Sequence, residues 1–168
     1  AETKIDRRHL TEFTMMEIEF AGSFEDLLAH IESLIHHVAQ AVVSYPQAQK
    51  KFGLSEQDLK RLKSCPPKFH RFTYDQAIKK LQELGEDIKW GDDISSQREK
   101  LLIATVGNQP LFITHYPDPM YPEHENIEVE KFFNMLPSKD NPGRVLSSDC
   151  ILPFGGESVG AAARVHTL

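Results

Sequence analysis

The chain has 168 residues, 40% hydrophobic and 26% charged, the composition of one globular domain able to bury a core rather than of a disordered segment or coiled coil. Nineteen basic residues stand against 25 acidic, and a net charge of −6 argues against a free-standing domain that grips phosphate backbone through a basic stripe. A local basic site for a single nucleotide stays compatible with that balance. No apolar run reaches a membrane span and the first residues (AETKIDRRH) are not leader-like, so a cytoplasmic protein without a membrane segment is expected. Cys65 and Cys150 lack metal-knuckle spacing and are expected as reduced thiols.

TMMEIEF (Thr14 to Phe20) alternates with period two and predicts a half-buried strand. Ser23 with Asp26 forms a capping box, opening a long amphipathic helix through Phe24, Leu27, Leu28, Ile31, Leu34, Ile35, Val38 and Val42 that Pro46 ends. Ser55 with Asp58 predicts a short helix before Pro66-Pro67, and KFHRF (Lys68 to Phe72) a short strand. Thr73 with Gln76 caps the next helix, which Gly85 stops; Ser96 with Glu99 caps another, ending at Gly107. Four strands are then predicted: Leu111 to Tyr116, Lys131 to Leu136, Arg144 to Leu152 and Ser158 to Val165. A long proline-rich and acidic surface loop is expected over about 117–130, and Asp140-Asn141-Pro142-Gly143 reads as a turn. The order implies an α+β fold, a largely antiparallel sheet flanked by helices. No glycine-rich loop joins a strand to a helix, which excludes dinucleotide-binding and P-loop folds.

Three clusters carry chemistry. Glu2, Arg7, Arg8, His9, Glu12 and Phe13 crowd the start of the chain. Arginine and histidine can hold a polyphosphate and an aromatic can stack on a base, although composition alone favours a solvated charged turn. Asp149 and Glu157, eight apart around LPFGG, share a sheet face if the hairpin loop between them has an odd length. Such a pair suits Mg²⁺ bridging phosphate oxygens; two unrelated exposed acids are the equal alternative. Arg164 follows Gly160-Ala161-Ala162-Ala163, a floor of small residues, and could read a ligand carboxylate or amide, though alone it reads better as an ordinary strand-end arginine. It lies seven residues from Glu157, on the opposite face of an ideal strand, so a bulge near Gly160 is required to unite them. Trp90 in KWGDD and the pair His36-His37 read as structural.

Together the clusters resemble the catalytic core of class II aminoacyl-tRNA synthetases, in the aspartyl, asparaginyl and lysyl subgroup. The opening AETKIDRRHLTEFTMMEIE is similar to the second signature motif of that family: Glu2 matches its glutamate, Arg8-His9 its arginine-histidine pair, and Phe13 its adenine-stacking aromatic. IKWGDDISSQREKLL, PLFITHYP and KFFNM also follow the asparaginyl pattern, and DCILPFGGESVGAAAR resembles the metal and amino-acid signature. There Asp149 and Glu157 match the Mg²⁺-ATP ligands and Arg164 the arginine that faces the substrate side chain. The match is collinear nearly end to end, and THYP with HLTEFTMMEIE favours asparaginyl over aspartyl members. Gly160 departs from members with a metal-binding serine, and the loop after THYP is longer than usual. The motif's first arginine would fall before Ala1, and the dimer-forming helix-strand motif, the third motif and an anticodon-binding barrel are not in this sequence.

The resemblance implies a partial catalytic domain over residues 1–168 that binds ATP and Mg²⁺ and activates asparagine, or aspartate, as an aminoacyl adenylate for transfer to tRNA. It implies Arg8, His9 and Arg164 as catalytic residues, Glu2, Arg8, His9 and Phe13 around ATP, and Asp149 and Glu157 on the metal. Glu12, His115 and Arg164 are the expected amino-acid contacts. It further implies a homodimer for the complete protein, tRNA contacts through regions outside this chain, and no charging activity from these 168 residues alone. An amide-forming relative that uses ammonia as acceptor, and an inactive paralogue acting as a binding module, are the alternatives.

Overall fold

A computed structural model describes residues 12, 14–125, 127–129 and 135–166. Four strands form one sheet in the order β1-β2-β3-β4: β1 is His70–Thr73, β2 Leu111–Thr114, β3 Ser147–Leu152 and β4 Gly156–Ala162. β1 and β2 run parallel, while β2–β3 and β3–β4 are antiparallel, so the sheet is largely antiparallel with one parallel edge.

Helices cover both faces. α1 (Phe24–Ser44) lies on one face, where Phe24, Leu28 and Ile31 pack with Phe69, Phe112 and Cys150. α4 (Tyr74–Glu83) and α5 (Ser96–Thr105) lie on the other, where Tyr74, Ala77, Ile78, Leu81, Leu102 and Ile103 meet Leu111, Ile113 and Ile151. Alternation along β2 divides these sets, Phe112 toward α1 and Leu111 and Ile113 toward α4 and α5. All four β2 residues are buried, as a central strand covered on both faces requires.

The local chemistry explains the helix boundaries. Ser23–Asp26, Ser55–Asp58 and Thr73–Gln76 make reciprocal capping boxes that start α1, α3 (Glu56–Lys63) and α4. Tyr45, held extended before Pro46, closes α1. After α4, Gly85 takes φ +90°, a conformation that would strain a side chain. The short helix α2 (Ala48–Phe52) has no side-chain cap, so no local sequence signal announces it.

Several boundaries depart from the sequence expectation. Residues 14–20 form no strand among the described residues, and Met15, Met16 and Ile18 are exposed, because an alternating pattern becomes a strand only beside a ladder partner. The strand expected over 68–72 starts at His70, since the N–H of Phe69 and the Lys68 ammonium both go to Glu32 of α1 (3.1 and 2.7 Å). α5 is capped by Ser95 rather than Ser96, without a side-chain bond, and Glu99 turns into the protein instead of completing a box. β2 stops at Thr114 because His115 adopts φ +58°. Arg144 and Val145 make isolated bridges to Pro117 and Pro137 rather than extending β3. Arg164 likewise lies beyond β4 and bridges Met135; the rest of the strand expected at 131–136 falls mostly outside the described residues. In the 117–130 stretch, Glu128 and Val129 donate N–H bonds to Gly91 O (2.8 and 3.0 Å), and Val129 is buried in the core. Among the described residues no helix is long and apolar enough to cross a membrane.

Candidate active site

The β3–β4 hairpin carries the acidic pair. Leu152 pairs with Gly156, leaving a loop of three residues, Pro153, Phe154 and Gly155, an odd length. Ile151 then pairs with Glu157, so Glu157 shares the face of Ile151 and, two residues earlier, Asp149. The pairing resumes at Cys150–Val159 with Ser158 unmatched, a bulge two residues before Gly160. The extra residue reverses the parity of β4: Gly160 and Ala162 sit opposite Asp149 and Ser147 on the face that already holds Glu157. Ala163 packs on the α1 side. One hairpin thus sets Asp149 and Glu157 on a single face with Gly160 and Ala162, and Arg164 follows two residues past the end of β4. Asp149 and Glu157 are diagonal neighbours, about 7–8 Å apart by sheet geometry.

Asp149 is only 5% exposed, and its Oδ2 accepts the hydroxyl of Tyr116 at 2.7 Å. Tyr116 reaches it because His115 turns the chain out of β2 immediately before it. Burial, then the charge and hydrogen bond of Asp149 and the charges of Glu157 and Asp93, raise the Tyr116 phenol well above its ordinary value, so it stays a donor. From the α5 side, Glu99 Oε2 accepts the backbone N–H of Glu157 at 3.3 Å. The sequence singles out neither Tyr116 nor Glu99: Glu99 reads as a helix cap, and nothing local marks a residue that acts across a sheet. The Ser147 hydroxyl, on the Asp149 face, is buried without a hydrogen-bond partner, as is that of Ser148 on the other face.

His115 is half-buried on the α1 side of the sheet. Its Nδ1 pairs with Thr114 Oγ1 at 2.9 Å and its ring meets Phe24 edge-on at 5.7 Å. Burial holds its imidazole below the usual range despite the charges of Glu25, Asp140 and Asp75, so the ring is neutral at pH 7. Glu12 is exposed. Glu2, Arg8, His9 and Phe13 lie outside the described residues. The Trp90 indole donates to Asp75 Oδ1 (2.7 Å) and the Asp92 side chain takes the Lys89 N–H (2.8 Å), both structural bonds. A cleft of about 320 Å³ lined by Arg71, Phe72, Gln76, Lys79, Lys80 and Glu83 runs along β1 and α4, on the far edge of the sheet from this hairpin.

Among the described residues no three His, Cys, Asp or Glu side chains converge to hold a metal unaided. Two carboxylates on one face match instead a hard cation that completes its shell with water and phosphate oxygens, as Mg²⁺ does. A guanidinium at the end of a floor of small residues matches a ligand with an acceptor-ended side chain.

Comparison with known proteins gives the family of the chain. The family described as tRNA synthetases class II (D, K and N) matches residues 1–168. An asparagine–tRNA ligase of Roseiflexus sp. (strain RS-1) is 34% identical over 99% of the chain and 37% of its own length. The crystal structure of asparaginyl-tRNA synthetase from Pyrococcus horikoshii complexed with asparaginyl-adenylate superposes with a TM-score of 0.77, at 30% identity over 98% of this chain and 35% of that one. The asparaginyl-tRNA synthetase of Entamoeba histolytica in complex with asparaginyl-adenylate gives 0.68 at 30% identity, over 85% of this chain and 31% of that one. The chain therefore spans little more than a third of the length of the curated relatives it matches.

Proposed function

The chain belongs to the class II tRNA synthetases (D, K and N), and from that membership we propose that the complete protein activates asparagine with ATP and passes the aminoacyl group to tRNA. The observation that carries this reading is the bulged β3–β4 hairpin, which puts Asp149 and Glu157 on one face just before Arg164. The similarity to asparagine–tRNA ligases over nearly the whole chain supports the choice of amino acid.

In the proposed reaction an oxygen of the asparagine α-carboxylate attacks the α-phosphorus of ATP. The bond to the oxygen bridging the α- and β-phosphates breaks, and pyrophosphate leaves with that electron pair. A ribose hydroxyl at the tRNA terminus then attacks the activated carbonyl and releases AMP. Such phosphoryl chemistry needs alignment and charge neutralisation more than a protein nucleophile. Asp149 and Glu157 would hold Mg²⁺, which when bound neutralises the phosphate oxygens. Arg8 and His9 would donate to the phosphates, Phe13 would stack on adenine beside Glu2, and Arg164 would donate to the side-chain carbonyl of asparagine. Glu12 is the proposed acceptor for the amide nitrogen, with His115 as the alternative. A homodimer in the cytoplasm, with tRNA contacts through regions outside this chain, completes the proposal.

The test is ATP–pyrophosphate exchange by the complete protein with asparagine, aspartate and lysine in parallel. Asparagine should be activated fastest. Faster exchange with aspartate would overturn the specificity, and lysine activity would also overturn the role given to Arg164.

A further inference from the structure

We infer that Tyr116 is a positioning residue for Asp149, fixing the rotation of that carboxylate so that it meets a divalent cation ready oriented. The inference rests on the reading of Asp149 and Glu157 as the metal-binding pair.

Four observations carry it. The Tyr116 hydroxyl donates to Asp149 Oδ2 at 2.7 Å, and both residues are buried, at 2% and 5% exposure. The donor cannot wander, because its ring packs against the Tyr74 ring at 5.3 Å between centroids. Tyr74 is itself pinned, donating to Asp92 O at 2.6 Å and accepting the Gly91 N–H at 3.0 Å. Finally, the left-handed turn at His115 ends β2 immediately before Tyr116, so the phenol reaches Asp149 from outside the ladder, where the β2 residue opposite Asp149 is Ile113.

The chemistry of a phenol suits the task. A buried carboxylate needs a donor, and one that rotates loses part of its affinity to the cost of ordering it. Lysine or arginine in the same place would satisfy the carboxylate but compete with the cation for its charge. A neutral hydroxyl holds one oxygen and leaves the full negative charge on the group. Glu99, accepting the N–H of Glu157 at 3.3 Å, braces the other member of the pair through its backbone.

The experiment uses the complete protein and its Tyr116→Phe, Asp149→Asn and double variants. Mn²⁺ affinity is read from free-ion paramagnetic resonance with and without ATP, and ATP–pyrophosphate exchange is followed across a Mg²⁺ titration. Tyr116→Phe should weaken Mn²⁺ binding about 10- to 100-fold, the size of effect seen when a group behind a metal ligand is removed. Its exchange should be restored by excess Mg²⁺, with the plateau close to wild type. Adding Tyr116→Phe to Asp149→Asn should weaken Mn²⁺ binding no further. A lowered plateau with unchanged metal dependence would mark a merely structural tyrosine and overturn the inference, as would an additive double variant. If Asp149→Asn weakens Mn²⁺ binding and Tyr116→Phe does not, the positioning role alone falls. If Asp149→Asn leaves Mn²⁺ binding intact, the metal assignment falls and takes this inference with it.

Discussion

The carboxylate of Glu99 on α5 accepts the backbone N–H of Glu157 on the β3–β4 hairpin, tying a helix of one core layer to the strand that carries an acid of the candidate site. Glu99 is buried, so removing it takes the acceptor away from the Glu157 N–H and opens space in the core layer. Glu99→Ala should lower the unfolding free energy by about 1.5–3 kcal/mol, while Glu99→Gln, which keeps an acceptor oxygen, should lose clearly less. Urea denaturation of the three proteins checks this; equal losses for both substitutions would show that acceptance of the Glu157 N–H is not what matters.

Glu157 itself is exposed, so its role separates from folding. Glu157→Ala should cost about a hundredfold in ATP–pyrophosphate exchange by the complete protein, about 3 kcal/mol of transition-state stabilisation, with an unchanged melting temperature. An exchange rate equal to wild type at saturating Mg²⁺ would remove the metal assignment.

Glu32 is a buried structural carboxylate, 1% exposed, that receives Lys68 Nζ at 2.7 Å, the Phe69 N–H at 3.1 Å and Arg71 Nη2 at 3.4 Å. Burial pushes its carboxyl up, but those bonds and the charges of Lys68 and Arg71 outweigh burial and hold it below the ordinary 4.5. The folded state therefore favours the ionised form. Its contribution is complete well above pH 4.5 and is lost as pH falls through 4.5 toward the lower folded value. Lys68 is largely exposed and its share is screened, so Glu32→Gln should cost about 2 kcal/mol at pH 7. The gap between the two proteins should narrow between pH 5 and 3, read by denaturation at each pH; a gap that widens on acidification would contradict the ionised assignment.

How much of this was legible in the sequence depends on the range of the interaction. Ser23–Asp26, Ser55–Asp58 and Thr73–Gln76 are three-residue signals, and each places its helix start correctly. The same signal misleads at Ser96–Glu99, because the tertiary pull of Glu157 takes Glu99 away from the cap. The hairpin was readable in kind: parity alone demands an odd loop and a bulge if Asp149, Glu157 and Arg164 are to share a face, and both are present. Tyr116 was not readable, since its bond to Asp149 spans 33 residues and depends on a left-handed turn that a histidine rarely adopts. The alternation at 14–20 was plain, but a pattern cannot supply the neighbouring strand that would make it a ladder.

The two thiols should differ in reactivity. Burial, with small contributions from Cys65, Asp149 and Glu32, pushes Cys150 up to about 12, and burial also raises Cys65, which stays partly accessible. Only the thiolate reacts, so a disulfide-exchange reagent at pH 8 should label Cys65 first and Cys150 only on unfolding. Prompt labelling of both in the native protein would contradict the packing of Cys150 between β3 and α1.

The choice of asparagine over aspartate should rest on Glu12 rather than on Arg164. A guanidinium donates to a carboxamide oxygen and, more strongly, to a carboxylate, so Arg164 selects an acceptor-ended side chain without choosing between the two. Discrimination needs a second group that accepts from the amide nitrogen and repels a carboxylate. Neutral His115 could accept, but its Nδ1 pairs with Thr114 Oγ1, its ring packs on Phe24, and it lies on the α1 side, away from the Asp149 face. Glu12 carries the charge that would repel aspartate. Glu12 is exposed, so its leverage falls below the roughly four to five decades that a buried acceptor gives. Glu12→Gln should therefore slow exchange with asparagine and shrink its advantage over aspartate by at least about a hundredfold. His115→Asn, a residue that tolerates the left-handed backbone, should change the ratio less than about tenfold. Parallel exchange assays of both variants of the complete protein decide it: a ratio that collapses in His115→Asn and survives in Glu12→Gln would transfer the role to His115.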